Sequence, residues 1–167
     1  MAGTSLLNLP SEAQSVSFRE GFGQRFIVTV DTEEEFDWNA PLQREGHSLE
    51  TIPALRTFQQ FCEGFGVVPS YMLDYPIATD PRAAEILHGA VAAGQAEIGV
   101  QLHPWVSPPF EEVVSEFNSY AGNLPPALER EKFTRRHSAI ASNFGAAPLT
   151  YRAGRYGLGP NTLDVLK

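Results

Sequence analysis

Cysteine is nearly absent. Cys62 stands alone among 167 residues, so the fold has no internal disulfide framework, and its place inside a helical pattern predicts a buried, inert thiol. Basic residues are also scarce: 12 Lys and Arg face 20 Asp and Glu, for a formal net charge of -8. No basic stripe is present to replace counterions along a phosphate backbone, which argues against nucleic acid as a partner. No window reaches the roughly 18 apolar residues of a membrane span. The opening MAGTSLLNLPSEAQ has neither a basic n-region nor a long apolar h-region, so the expectation is a cytoplasmic protein with no membrane partner. Internal repeats and low-complexity tracts are missing as well.

What the chain does have is four short apolar runs that each finish on a residue able to titrate, bind metal or fix an anion. FIVTVD ends at Asp31, SYMLD at Asp74, EIGVQLH at His103 and LTYR at Arg152. Strands of a parallel sheet gather their C-terminal ends on one rim, where βα-proteins place ligands and chemistry. The run from Phe26 is almost continuously apolar and β-branched, as a strand covered on both faces should be. In the third run Ile98, Val100 and Leu102 alternate with Gly99, Gln101 and His103, so Gln101 and His103 share a face.

Helices are expected between the runs. Thr51 can cap one carrying Leu55, Phe58, Cys62 and Phe65; Asp80 with Pro81 opens a second; a third follows AGNLPP with Leu128, Phe133, His137, Ile140 and Phe144 as its stripe; Gly159 with Pro160 begins a last. The fold class is α/β, with parallel β/α units in the order β-α-β-α-β-α-β-α. Residues 1–24 lack periodicity and form a flexible lead-in, and 25–167 form one domain. Four units make half of an eightfold barrel, which predicts a truncated barrel with an exposed sheet edge that a second copy would cover.

Asp31 at a strand end, with Glu33, Glu34 and Glu35 just beyond, can hold a divalent cation or serve as general base. Glu33 falls on the same side as Asp31 in an extended segment, whereas a solvated face is the plainer expectation for Glu34 and Glu35. His103 is a metal-ligand candidate; His47, His88 and His137 read as structural. In YRAGRYG, Arg152 and Arg155 can support an oxyanion or orient a carboxylate. Trp105 and the prolines of PWVSPP offer an apolar wall or sugar-stacking platform beside His103.

The blocks VTVDTEEEFDW, SYMLDYPIATDP, AEIGVQLHPWVSPPFEE, AGNLPPALEREK and YRAGRYGLGP, in this order, resemble polysaccharide deacetylases of the NodB-homology type, nearest the WalW-like branch. The resemblance runs from about Phe26 to Lys167. It implies a distorted (β/α) barrel of the glycoside hydrolase/deacetylase type and a metal-dependent hydrolase that removes acetyl groups from N-acetylated sugars. Matched by position, Asp31 resembles the catalytic base, Asp31 or Glu33 with His103 the ligands of a divalent metal, zinc by preference, Arg152 the group that fixes the base, and Tyr156 a residue near the oxyanion. Asp74, Trp105 and Arg155 are the expected substrate contacts. Three departures stand out: Thr32 follows Asp31 where better-studied members have a second acid, Gln101 stands where the family places a histidine, and the later motifs are not within these residues. A non-catalytic carbohydrate-binding or scaffold relic of the same fold is the alternative these departures favour.

Overall fold

A computed structural model describes residue 12 and residues 15–167. The part of the expected lead-in before residue 12, with residues 13 and 14, lies outside the described residues. Four strands form one all-parallel sheet in chain order: β1 (Thr29–Thr32), β2 (Ser70–Leu73), β3 (Glu97–Leu102) and β4 (Tyr151–Ala153). Between them lie α1 (Ala54–Gly64), a short α2 (Tyr75–Thr79), α3 (Pro81–Ala92) and α4 (Pro126–Phe144), with α5 (Thr162–Val165) after β4. None of these helices is long and apolar enough to cross a membrane.

The core forms where β2 and β3 turn one face toward the helices. Tyr71, Leu73, Ile98 and Val100 pack there with Ala83 and Leu87 of α3 and Ile140 and Phe144 of α4. Asp80 caps α3 as expected, accepting from Arg82 N at 2.8 Å with Pro81 at the first helical position. Gly145 closes α4 in the left-handed conformation, at φ 72°. Cys62 is buried and unpaired with any second thiol.

Several local expectations are corrected. β1 is not covered on both faces: it is an edge strand of four residues, and Phe26 and Ile27 precede it at 79% and 81% exposure. Thr51 does not cap α1, because both its N–H and its hydroxyl donate to Glu35 Oε1 at 2.6 Å; Pro53 holds the cap position instead. Phe65 is exposed rather than part of the α1 stripe, where Gln59 and Cys62 are the buried residues. α2 was not anticipated, although Asp74 followed by Pro76 repeats the capping chemistry of Asp80 and Pro81; Asp74 Oδ1 accepts from Ile77 N at 2.9 Å.

The largest correction concerns α4. Its core-facing line is Leu128, Lys132, Arg136, Ile140 and Phe144, each four residues from the last, and both cations are fully buried. Phe133 and His137, expected on that stripe, sit half-buried beside it.

The sheet is curled. Arg152 on β4 pairs with Asp31 on β1 and donates to Thr29 Oγ1 at 2.7 Å, passing over β2 and β3. In a flat sheet three interstrand steps would put those strands roughly 14 Å apart, beyond the span of one guanidinium side chain. The polar face of the sheet is therefore concave. A parallel sheet curled this way is compatible with part of a β/α fold, and β1 and β4 are its two open edges.

Candidate functional site

The strand register brings the C-terminal ends together. Gln101 stands opposite Arg152, and Leu73 opposite both Thr32 and Val100, so the residues that follow β1 and β2 rise beside the end of β3. A cleft of about 160 Å³ opens at this rim, and Asp31, Glu33, Gln101, His103, Arg152 and Tyr156 all line it. Of the four strand-end residues, Asp31, His103 and Arg152 share this cleft, while Asp74 is enclosed beneath it.

Within the cleft Asp31 is held by the Arg152 ion pair. Glu33 Oε2 accepts from Gln101 Nε2 at 2.7 Å and lies 3.4 Å from His103 Nε2. Burial raises the Glu33 carboxyl above its ordinary range, opposed by the nearby His103. Gln101 Oε1 is buried without a partner. Gly154 makes the close approach of β4 to this corner possible: a Cβ there would collide with the His103 ring and the Leu102 carbonyl.

Beneath the cleft is a sealed tier. Burial lowers His103 to about 4, so its imidazole is neutral at pH 7 and carries a single N–H. Its Nδ1 lies 3.0 Å from Glu34 Oε2, and Gln101 Nε2 lies 3.4 Å from its Nε2. A proton on Nδ1 satisfies Glu34 and leaves the single Nε2 lone pair facing the Gln101 amide at 3.4 Å, a long contact since that amide donates more closely to Glu33. Trp105 Nε1 donates to Glu34 Oε1 at 2.9 Å, and its ring stacks on His103 at 4.4 Å between centroids. The Glu34 backbone N–H donates to Asp74 Oδ2 at 2.7 Å.

Burial, reinforced by the Glu34 carboxylate, pushes Asp74 well above the ordinary carboxyl range, and burial also raises Glu34. Arg136 supplies the counter-charge to both carboxylates; being wholly buried, it is drawn down to about 10. Its Nη2 donates to Ser107 Oγ. Lys132 donates to the carbonyls of Pro104 at 3.1 Å and Pro109 at 2.7 Å and also to that of Ser107, with Glu112 at 3.0 Å as counter-charge. The two cations of α4 thus pin the HPWVSPP loop, and with it His103.

Glu34, Asp74 and His103 each offer a ligand atom, all within 4.8 Å of one another, and this buried group could bind a metal ion. The expected solvated face is therefore wrong for Glu34, which is 2% exposed. Glu35 is also engaged, accepting from Ser48 Oγ at 2.5 Å and from Thr51, hydrogen bonds that lower its carboxyl below the usual range.

Two of the expected substrate contacts lie out of reach of a ligand. Trp105 is 2% exposed, so its ring is no open platform, and Asp74 is enclosed because it caps α2 and holds the Glu34 amide. Arg155 and Tyr156 do reach the cleft, both at positive φ, 53° and 56°. Arg155 donates to Ser119 Oγ at 2.6 Å and lies over the Tyr120 ring, while Tyr156 is open to solvent.

Trp38, Lys132 and Arg136 are also at or under the site, and the sequence reading does not name them as site residues. A signal existed for α4, where Lys132 and Arg136 continue the four-residue spacing of Leu128, Ile140 and Phe144. No protein-family model matches the chain, and no curated protein matches it.

Proposed function

We propose that this chain is a metal-dependent hydrolase that removes acetyl groups from N-acetylated carbohydrates, as its resemblance to polysaccharide deacetylases implies, and that its sheet is part of a distorted (β/α) barrel. The observation that carries this reading is that Asp31, fixed by Arg152, shares one solvent-open cleft with Glu33 and His103.

The cleft offers donors of the kinds a divalent cation takes. Glu33 offers a carboxylate, His103 an unprotonated Nε2, Asp31 a second carboxylate, and the unpartnered Gln101 Oε1 a carbonyl oxygen close by. Carboxylate and imidazole suit zinc and its neighbours, and the amide oxygen is a harder, weaker donor than a second histidine would be. The cleft is the better place than the sealed trio. Glu34, Asp74 and His103 Nδ1 are enclosed and Arg136 is the cation there, whereas the cleft is open to a cation from solvent. A carboxylate behind a ligating histidine is the ordinary supporting arrangement, which gives Glu34 its part.

A divalent cation held by Glu33 and His103 would polarise the acetyl carbonyl and acidify a water molecule. Asp31 would act as general base toward the attacking water and return that proton to the departing amine nitrogen as the C–N bond breaks. Arg152 holds the Asp31 carboxylate in place at the cleft. Glu34 holds the His103 tautomer, and Lys132 and Arg136 keep the loop behind it from moving. Arg155 and Tyr156 stand on the side where the substrate would enter.

Acetate release from β-1,4-linked N-acetylglucosamine pentamer, measured with zinc-loaded protein and with Asp31→Asn, tests the proposal. Release by the parent chain and at least a hundredfold less by Asp31→Asn is the expected result; equal release by both would remove Asp31 from the chemistry.

One observation favours the non-catalytic alternative. Gln101 already donates to the Glu33 oxygen that a cation would use. Sugar binding that survives a chelator, with no acetate release at any metal, would support that reading instead.

A further inference from the structure

We propose that Trp38 is the stacking platform of a second sugar subsite continuous with the cleft, so that the ligand is an oligosaccharide rather than a single sugar; this rests on the carbohydrate reading above. The chain has two tryptophans, and they are oppositely placed: Trp105 is 2% exposed and Trp38 is 58% exposed.

Trp38 is nevertheless held. Its ring packs on Phe36 at 4.3 Å between centroids, and Phe36 in turn meets Trp105 edge-on at 5.6 Å and His103 edge-on at 6.4 Å. Edge and offset contacts of this kind are favourable aromatic geometries. The exposed ring is thereby tied to the ring that carries the candidate metal ligand. The turn bearing it is closed by Asp37, whose carboxylate accepts from Asn39 N at 2.8 Å and whose carbonyl accepts from Ala40 N at 3.0 Å.

Trp38 and Arg155 line two cavities at once. One is the cleft of about 160 Å³ that holds Asp31 and His103. The other, of about 370 Å³, runs on between Pro41 and Leu42 on one side and Val114, Ser115 and Glu116 on the other. Small-ligand sites span roughly 300–1,000 Å³; the first cavity falls below that range and the second lies within it. A ligand confined to the cleft would be little more than the reacting group, and most of its contact area lies past Trp38.

The lining chemistry fits a pyranose. A sugar ring has an apolar C–H face and a rim of hydroxyls. Trp38, Pro41, Leu42 and Val114 supply apolar surface, while Ser115, Glu116 and Arg155 supply donors and acceptors. Glu116 is largely exposed and 3.7 Å from Arg155 Nη2, so it can turn to a sugar hydroxyl without breaking a buried pair, while Arg155 stays anchored on Ser119 through Nη1 and keeps Nη2 for the ligand.

Calorimetric titration of the full chain with N-acetylglucosamine and its β-1,4-linked dimer to pentamer tests this, on the parent protein, Trp38→Ala and Trp38→Phe. The affinity should rise with length by on the order of tenfold, Trp38→Ala should flatten that rise, and Trp38→Phe should keep most of it. A flat length series in the parent protein, a rise that survives Trp38→Ala, or no binding at any length would overturn the subsite. Acetate release from the same oligomers separates the two proposals. Release with a flat binding series sinks the subsite alone, and Trp38-dependent binding with no release sinks the hydrolase alone.

Discussion

Arg136 and Arg152 both face carboxylates, but from opposite sides of the solvent boundary. Arg136 is wholly enclosed between α4 and the sheet, compensating Glu34 and Asp74; Arg152 lies across the concave face with Asp31, and both members of that pair are partly open to water. The interior group has no ligand access and holds the scaffold of the site. The rim group is accessible and free to exchange partners with a substrate or ion. The same attraction between guanidinium and carboxylate, acting at a distance in the interior and as a direct pair on the rim, is structural in one tier and available for function in the other, and burial makes the difference.

Removing the guanidinium from each tier separates them. Arg136→Met leaves two buried carboxylates with no compensating charge, and should cost about 3–5 kcal/mol in denaturant unfolding. A loss under 1 kcal/mol would mean that Glu34 and Asp74 are not both dependent on it. The supporting role of Glu34 predicts a smaller effect, read in binding rather than folding: Glu34→Gln should weaken zinc by about 10- to 100-fold in competition with a chromophoric chelator. Unchanged affinity would dissociate the sealed tier from the rim.

Acid should also find the interior first. His103 in the folded chain is lowered to about 4, below its ordinary value near 6.5. Between those values the unfolded chain binds the extra proton, so stability falls as pH drops through that window, by about 2 kcal/mol at pH 5. Glu34 and Asp74, whose carboxyls are raised, act in the opposite sense as pH rises through their range. The clean measurement is therefore the difference in unfolding free energy between the parent protein and His103→Gln from pH 7 to pH 5, with the parent expected to lose more. The smallest effect is expected on the rim, where Arg152→Met should change stability by no more than about 1 kcal/mol while still reducing acetate release. A larger loss of stability would make that pair part of the scaffold.

The rim was legible in the sequence because strand ends announce themselves: an apolar run followed by Asp31, His103 or Arg152 needs only the parallel-sheet assumption to place all three at one mouth. The α/β order and the Asp80 cap followed from equally local signals. The sealed tier was harder to see. Glu34 is one of three consecutive acids, and only the route of the chain after β1 turns it inward while Glu35 goes to Ser48 and Thr51. Lys132 and Arg136 are hard to read from the sequence because a cation on a core-facing stripe runs against the apolar pattern, and their partners, the Pro104, Ser107 and Pro109 carbonyls, the Ser107 hydroxyl and the Glu112 carboxylate, come from distant segments. Trp105 is covered rather than open for a related reason: composition marks an aromatic residue as a platform, but only packing decides which ring is covered.

The account turns on where a cation would sit, and anomalous diffraction from a zinc-soaked crystal reads that directly. One peak within about 2.0–2.2 Å of both His103 Nε2 and a Glu33 carboxylate oxygen is the predicted result. A peak enclosed among Glu34, Asp74 and His103 Nδ1, or none in the cleft at all, would contradict it.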